Sequence, residues 1–160
     1  MFGTAHRGDA ATLGAMFSGA SSTMSSPTEV ECPFCTLPLA RIVHANQFAV
    51  VIRDAYPVSR GHTLVLPRRH VGSFFELEPP ERDAVFELLD VARRDLDQSM
   101  HPDGYNIGIN DGPAAGQTVP HLHVHLIPRY NGDQADPRGG VRWIFPERAD
   151  YWSARGGEPV

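Results

Sequence analysis

The chain predicts an α+β domain built on an antiparallel sheet, and three observations carry that prediction. Short β-rich runs bounded by Pro, Gly and Asp occur at Phe48–Ile52 and Thr63–Leu66. One long amphipathic pattern opens on Pro79-Pro80-Glu81. The run His121-Leu122-His123-Val124-His125-Leu126-Ile127 alternates imidazole with aliphatic side chains at period two. Hairpin-like strands beside a single long helix belong to the α+β class rather than to an alternating parallel architecture.

Along the chain, residues 1–28 are rich in Ala, Gly, Ser and Thr with no apolar periodicity, and they read as a disordered N-terminal tail. The alternative expectation is translation from an early start, with Met16 or Met24 as the other candidates. Ala11–Phe17 is mildly apolar, but Asp9, Gly14 and the lack of a Leu-rich stretch argue against a secretory signal. The domain proper is placed at 29–152, with 153–160 as a disordered C-terminus. Phe48–Ile52 and Thr63–Leu66 form strands joined through Asp54–Gly61, a turn segment containing Pro57. Prolines and an acid suit the first turn of the helix that follows. Val85, Leu88, Leu89, Ala92 and Leu96 supply its buried stripe. Met100-His101-Pro102-Asp103-Gly104 stops it. Strands around Tyr105–Ile109 and His121–Ile127 complete the pattern. In the last, Leu122, Val124 and Leu126 share the face that buries, while His121, His123 and His125 share the face left toward solvent or a ligand.

Composition narrows the chemistry. A chain of 160 residues is one domain with a tail. Net charge −5 and a pI near 5.9 disfavour a nucleic-acid partner. No run of about 18 apolar residues is present to span a membrane. All 14 basic residues are Arg. The absence of lysine excludes a P-loop lysine, a pyridoxal phosphate Schiff base and a nucleotidyl-lysine intermediate. No Gly-x-Ser-x-Gly elbow occurs either. Covalent chemistry is left to His, Cys or a hydroxyl.

Three imidazoles on one strand face are poorly spaced to hold one metal. His121 and His125 start on the order of 13 Å apart, whereas zinc takes each ring nitrogen at about 2 Å. A division of labour suits them better: a nucleophile, an orienting or oxyanion-binding neighbour, and a support. Neutral imidazole is abundant near its ordinary pKa of about 6.5 and forms a reversible bond to phosphorus. The only cysteines, Cys32 and Cys35, stand as Cys-x-x-Cys. A structural zinc, free thiols and a disulfide all remain open for them.

The stretch Gly116-Gln117-Thr118-Val119-Pro120-His121 through Ile127 resembles the signature of the histidine triad superfamily, His-x-His-x-His followed by two apolar residues. Tyr105-Asn106-Ile107-Gly108-Ile109-Asn110-Asp111-Gly112 resembles the strand and glycine loop that precede it, and Gly61-His62-Thr63-Leu64-Val65-Leu66-Pro67 an earlier strand. Cys32-Pro33-Phe34-Cys35 resembles the start of such domains, so the likeness runs from about Glu31 to Tyr130.

That resemblance implies a five-stranded antiparallel sheet with a long helix, paired in a homodimer. It implies catalytic roles for His123 as nucleophile, His125 as stabiliser of phosphoryl charge and substrate ligand, His62 as the residue fixing the tautomer of His123, and Thr118. Substrate-binding roles fall to Asp54, Asn110 and Gln117. For Asp54, binding of ribose hydroxyls stands beside the plain alternative of a turn residue. Turn chemistry is equally an alternative for Asn110, Gln117 and Thr118. A structural zinc is expected on Cys32, Cys35, His70 and His121, with no catalytic cofactor. Leu39, Phe48 and Ile52 are candidates for the walls of a base pocket, or else core. Pro128–Trp152, dense in Arg and aromatics, is either a wrapping segment or a source of Arg138 and Arg142 for distal phosphates.

The expected function is that of a cytoplasmic nucleotide hydrolase or transferase. It would attack the α-phosphorus of a nucleoside polyphosphate of the diadenosine polyphosphate type through a nucleotidyl-histidine. The alternatives are a nucleoside phosphoramidase of the same superfamily, a non-catalytic nucleotide-binding module, and a metal-dependent hydrolase. Neither nucleic acid nor membrane is an expected partner.

Overall fold

A computed structural model describes residues 31–153. The expectations for 1–28, and those for the C-terminus beyond Ser153, lie outside the described residues. Strands β1 (Ile42–Ala45), β2 (Ala49–Arg53), β3 (Thr63–Pro67), β4 (Gly104–Ile109) and β5 (Val124–Arg129) form one sheet in the order β1-β2-β3-β5-β4. Every neighbouring pair is antiparallel. Helix α1 (Pro79–Met100) connects β3 to β4, and a short helix α2 (Pro146–Ala149) lies in the C-terminal segment. Among the described residues, no helix is long and apolar enough to cross a membrane.

The pleat sorts the side chains into two layers. Ala49, Val51, Val65, Val124 and Leu126 face α1, where they meet Val85, Leu88, Ala92 and Leu96 of its buried stripe. Each fully buried aliphatic of this kind contributes about 1.5–3 kcal/mol. Val50, Ile52, Leu64 and Leu66 form a second cluster on the other face, with Phe34, Leu37 and Ile42 packed against them. The helix begins with a capping box in which Glu78 and Glu81 satisfy each other's backbone N–H groups. Glu81 is buried and also receives both arms of Arg69, at 2.6 and 2.7 Å. The guanidinium holds that carboxyl well below the usual range, at about 2. The helix ends where His101 takes a left-handed conformation.

Two details differ from the sequence expectation. The periodic run predicts a strand over His121–Ile127, but β5 starts at Val124. Pro67, the last residue of β3, has no N–H to extend the ladder. His121 N–H instead bonds Val119 O, and Leu122 N–H bonds Val71 O. Secondly, the imidazole face is not left open, because His121 and His123 are buried. The Phe34 ring stands edge-on to both, at 5.8 and 5.3 Å between centroids.

Candidate active site

One rung of the sheet positions the chemistry. On the face away from α1, Ile42 pairs with Ile52, Ile52 with Leu64, Leu64 with His125, and His125 with Gly108. Apolar side chains thus lead across three strands to an imidazole on the fourth, and the absence of a side chain at Gly108 keeps the far side clear.

His123 Nδ1 lies 2.8 Å from the carbonyl oxygen of His121. A carbonyl only accepts, so Nδ1 carries the proton and Nε2 keeps its lone pair. A second relay sets the tautomer of His125. The Val58 backbone N–H points at His62 Nδ1 at 3.4 Å, which makes that nitrogen an acceptor. His62 Nε2–H then donates to His125 Nδ1 at 3.0 Å. His125 Nε2–H is left as a donor, buried and without a protein partner. A buried donor without a partner is costly, and in a cleft it marks where a ligand oxygen belongs. The rings of His123 and His125 stand 4.9 Å apart in an edge arrangement. The site therefore sets His123 Nε2, on the side of the ring away from the His121 carbonyl, beside a fixed N–H donor. Burial pushes His62 and His125 below the ordinary imidazole range, and the neighbouring His123 and His62 add to this for His125, which falls to about 4. Both stay neutral at physiological pH.

His62 accordingly bonds His125 and not His123, which corrects the sequence expectation. His123 takes its tautomer from its own chain instead. Asp54 does begin a turn, accepting Tyr56 N–H at 2.8 Å, and its second oxygen lies 3.3 Å from His62 Nδ1. Gln117 has both ends of its amide engaged: Oε1 accepts from Gly112 N–H, and Nε2 donates to Gly72 O. It braces the loop before the triad rather than offering its side chain to phosphate. Thr118 is exposed, Asn110 is half-buried, and neither side chain is hydrogen-bonded among the described residues. Both remain available to a ligand. Of the expected base-pocket walls, Ile52 lies on the histidine face of the sheet. Phe48 packs on the helix side, and Leu39 is 86% exposed.

Cys32, Cys35, His70 and His121 converge, with their ligand atoms all within 4.8 Å of one another. The contacts Cys35 Sγ–His70 Nδ1, Cys32 Sγ–His121 Nδ1 and Cys35 Sγ–His121 Nδ1 measure 3.2, 3.5 and 3.6 Å. Zinc with sulfur at about 2.3 Å and nitrogen at about 2.0–2.1 Å gives tetrahedral S–N edges of about 3.5 Å. His121 Nε2–H donates to Pro67 O at 2.9 Å, which turns the Nδ1 lone pair toward the thiols. The residues present fit a closed Cys2His2 zinc site. Asp54, His62 and His125 form a further cluster of metal-ligating types, in which His62 and His125 are hydrogen-bonded to each other.

The C-terminal arginines are not free to reach phosphate. Arg138 pairs with Asp136 at 2.7 Å and lies over the Trp152 ring at 4.6 Å. Arg142 donates to Arg148 O and covers the Tyr151 ring at 4.9 Å. Sequence reasoning passed over Phe34, Leu64 and the Val58 N–H. Phe34 had a signal, since its place inside Cys-x-x-Cys ties it to whatever the cysteines bind. A backbone N–H has none.

Fold and site define a class, and comparison with known proteins names it. The HIT domain family profile matches residues 39–132; the chain belongs to the HIT family. It is similar to an uncharacterized HIT-like protein of Mycoplasma genitalium, 35% identical over 111 residues, 67% of this chain and 79% of the relative. It is also similar to the bis(5'-adenosyl)-triphosphatase of Saccharomyces cerevisiae, 31% identical over 72% of this chain but only 54% of the yeast protein. Among solved structures, a Zn-bound histidine triad family protein from Mycobacterium smegmatis is 37% identical, covering 66% of this chain and 80% of that one with a TM-score of 0.59. A HIT family protein from Bacillus anthracis matches at 33% identity over 65% and 77%, with a TM-score of 0.61.

Proposed function

We propose that the protein is a nucleotide hydrolase or transferase that forms a nucleotidyl-histidine at His123 and acts on dinucleoside polyphosphates. The observation that carries this reading is the pair formed by His123 Nε2, freed as a nucleophile by the His121 carbonyl, and His125 Nε2–H, a buried donor with no protein partner. In the first half-reaction His123 Nε2 bonds to the α-phosphorus as the bridging P–O bond breaks, and the electron pair leaves with the distal phosphate group. His125 Nε2–H donates to a phosphoryl oxygen as charge builds there. Water then attacks the same phosphorus, the N–P bond breaks, and nucleoside monophosphate leaves with His123 restored. Asn110 and Thr118 assist the departing group. The base rests against Phe34 and Ile42, with the buried Ile52 behind them, and Asp54 keeps lone pairs for the ribose hydroxyls. The yeast triphosphatase lends support to the substrate class.

When zinc is bound, Cys32, Cys35, His70 and His121 would hold it, and it would supply a structural cross-link rather than reactive chemistry. The zinc-bound mycobacterial relative supports this. The homodimer expected by resemblance belongs to the same reading. The test is single-turnover reaction with α-labelled diadenosine tetraphosphate, diadenosine triphosphate and adenosine phosphoramidate, followed by acid-labile, base-stable label on the protein. Label on His123, absent in His123→Asn, is the expected result. Turnover by His123→Asn above about a hundredth of wild type overturns the nucleophile assignment. Preference for the phosphoramidate selects the phosphoramidase reading.

A further inference from the structure

A cavity of about 880 Å³ lies over β4 and β5, on the histidine face of the sheet. Its floor is Asn106 and Ile127, one loop wall is Val58 and Arg60, and its outer wall carries Trp143 and Trp152 from the C-terminal segment. Ile127 is the next residue of β5 to share a face with His125, one step of about 6.6–7 Å along the strand. Val58 is the residue whose N–H orients His62. The cavity therefore begins one strand step from His125. It also lies at the other end of the sheet from Phe34 and Ile42: Ile42 is on β1, Phe34 packs beside it on the same cluster, the histidines run into β5, and this cavity lies over β5 and β4.

The chemistry of the lining selects the guest. The acids are already engaged: Asp133 by Arg129, Asp136 by Arg138, and Asp150 by the backbone N–H groups of Trp152 and Ser153. Arg138 covers a face of Trp152, and the Trp143 N–H donates to Arg138 O, which fixes the indole while leaving it 46% exposed. What remains on offer is an anchored aromatic face and the NH2 end of the Asn106 amide, whose oxygen accepts from Arg129. These suit a flat, neutral heterocycle with a hydrogen-bonding edge, in a volume typical of small-molecule sites.

We propose that this cavity seats the second nucleoside, the one carried off on the leaving phosphate, with Trp143 as its stacking face. The proposal rests on the nucleotidyl-transfer reading above. A short phosphate bridge spans the single strand step from the triad, so the two nucleosides of one substrate occupy opposite ends of the same sheet face. The C-terminal segment thereby sets the preference for dinucleoside over mononucleoside polyphosphates.

The experiment compares diadenosine tetraphosphate with adenosine 5'-tetraphosphate, which has the same phosphate chain without the second nucleoside. Wild type is expected to favour the dinucleoside in kcat/KM by at least tenfold. Trp143→Leu should erase that preference with the mononucleoside rate unchanged, and Trp143→Phe, which keeps an aromatic face, should retain most of it. Equal handling of both substrates by wild type, or a preference surviving in Trp143→Leu, overturns the proposal. Failure of the parent reading is separable, because it shows as no turnover of either compound. The cavity is then read by fluorescence, since both tryptophans of the chain line it. Quenching by adenosine in protein saturated with adenosine monophosphate, lost in Trp143→Leu, supports the site. Unchanged emission overturns it.

Discussion

The carbonyl oxygen of His121 holds the Nδ1–H of His123 at 2.8 Å, while the ring of the same His121 faces the thiols of Cys32 and Cys35. One residue thus joins the Cys2His2 cluster to the proposed nucleophile. Phe34, inside the Cys-x-x-Cys loop, reinforces the link by standing against both rings.

Elemental analysis of protein purified without chelators is expected to find close to one zinc per chain. Cys32→Ser should lower the metal content and the melting temperature together, because metal binding and folding are coupled. The link through His121 adds a fall in kcat. Metal-free protein with an unaltered melting temperature refutes the zinc assignment.

His62→Ala removes the donor that fixes His125. Loss of one partner to a buried group costs about 1–3 kcal/mol, so kcat should drop roughly five- to a hundredfold, with binding of nucleoside monophosphate little changed. A pure rise in KM would mean that His62 contacts substrate instead.

The faces of the sheet were legible in the sequence because period-two alternation survives local irregularity. Leu122, Val124 and Leu126 reach the helix-side core even though the strand proper starts only at Val124. The break itself was hidden, since it depends on Pro67 in a different strand. Strand β1, with its short Ile42–Ala45 run, carries too little alternation to be read alone, and it entered only through family resemblance. Residue type singled out His62 and Gln117 but not their partners, which are His125 and the Val58 N–H for the first and the backbone of Gly72 and Gly112 for the second. Arg138 and Arg142 looked available because the acids and carbonyls that occupy them are recognisable only in three dimensions.

Asp54 supplies a test of the ribose contact. Charge-assisted hydrogen bonds contribute about 1.5–3 kcal/mol each, so wild type should favour adenosine over 2'-deoxyadenosine substrates by tenfold or more. Asp54→Ala should narrow that gap. Equal use of both sugars by wild type would reduce Asp54 to its turn and its contact with His62.

Glu81 is held at about 2 against an ordinary 4.5. The unfolded chain therefore takes up the proton first as pH falls. The stabilisation is complete above about 4.5, and it is lost as pH drops toward 2. The Arg69 side chain is 48% exposed, which reduces the contribution to about 1–2 kcal/mol. Denaturant titrations should show Glu81→Gln less stable by that amount at pH 7 and no less stable near pH 2.

Gly61 has φ +85, and a Cβ there would sit 2.7 Å from Met100 Sδ and 2.9 Å from Leu96 Cδ2. Gly61→Ala should cost about 2–4 kcal/mol from strain and overpacking together. Met100→Ala in the same chain should recover part of the loss. Full additivity of the two changes would show that the crowding is not real.

The contacts that make the site span long stretches of chain. Cys32 and His121 are separated by 89 positions, and His62 and His125 by 63. Closing such loops is entropically costly and slow compared with local structure. During synthesis the two thiols emerge long before His121 exists to meet them. On the proposed zinc and nucleotidyl-transfer readings, metal capture and catalytic competence would both wait for β5 to take its place between β3 and β4. Until then the nascent chain carries an exposed dithiol, open to oxidants and to passing metal ions, and holds no oriented histidine that could attack a nucleotide.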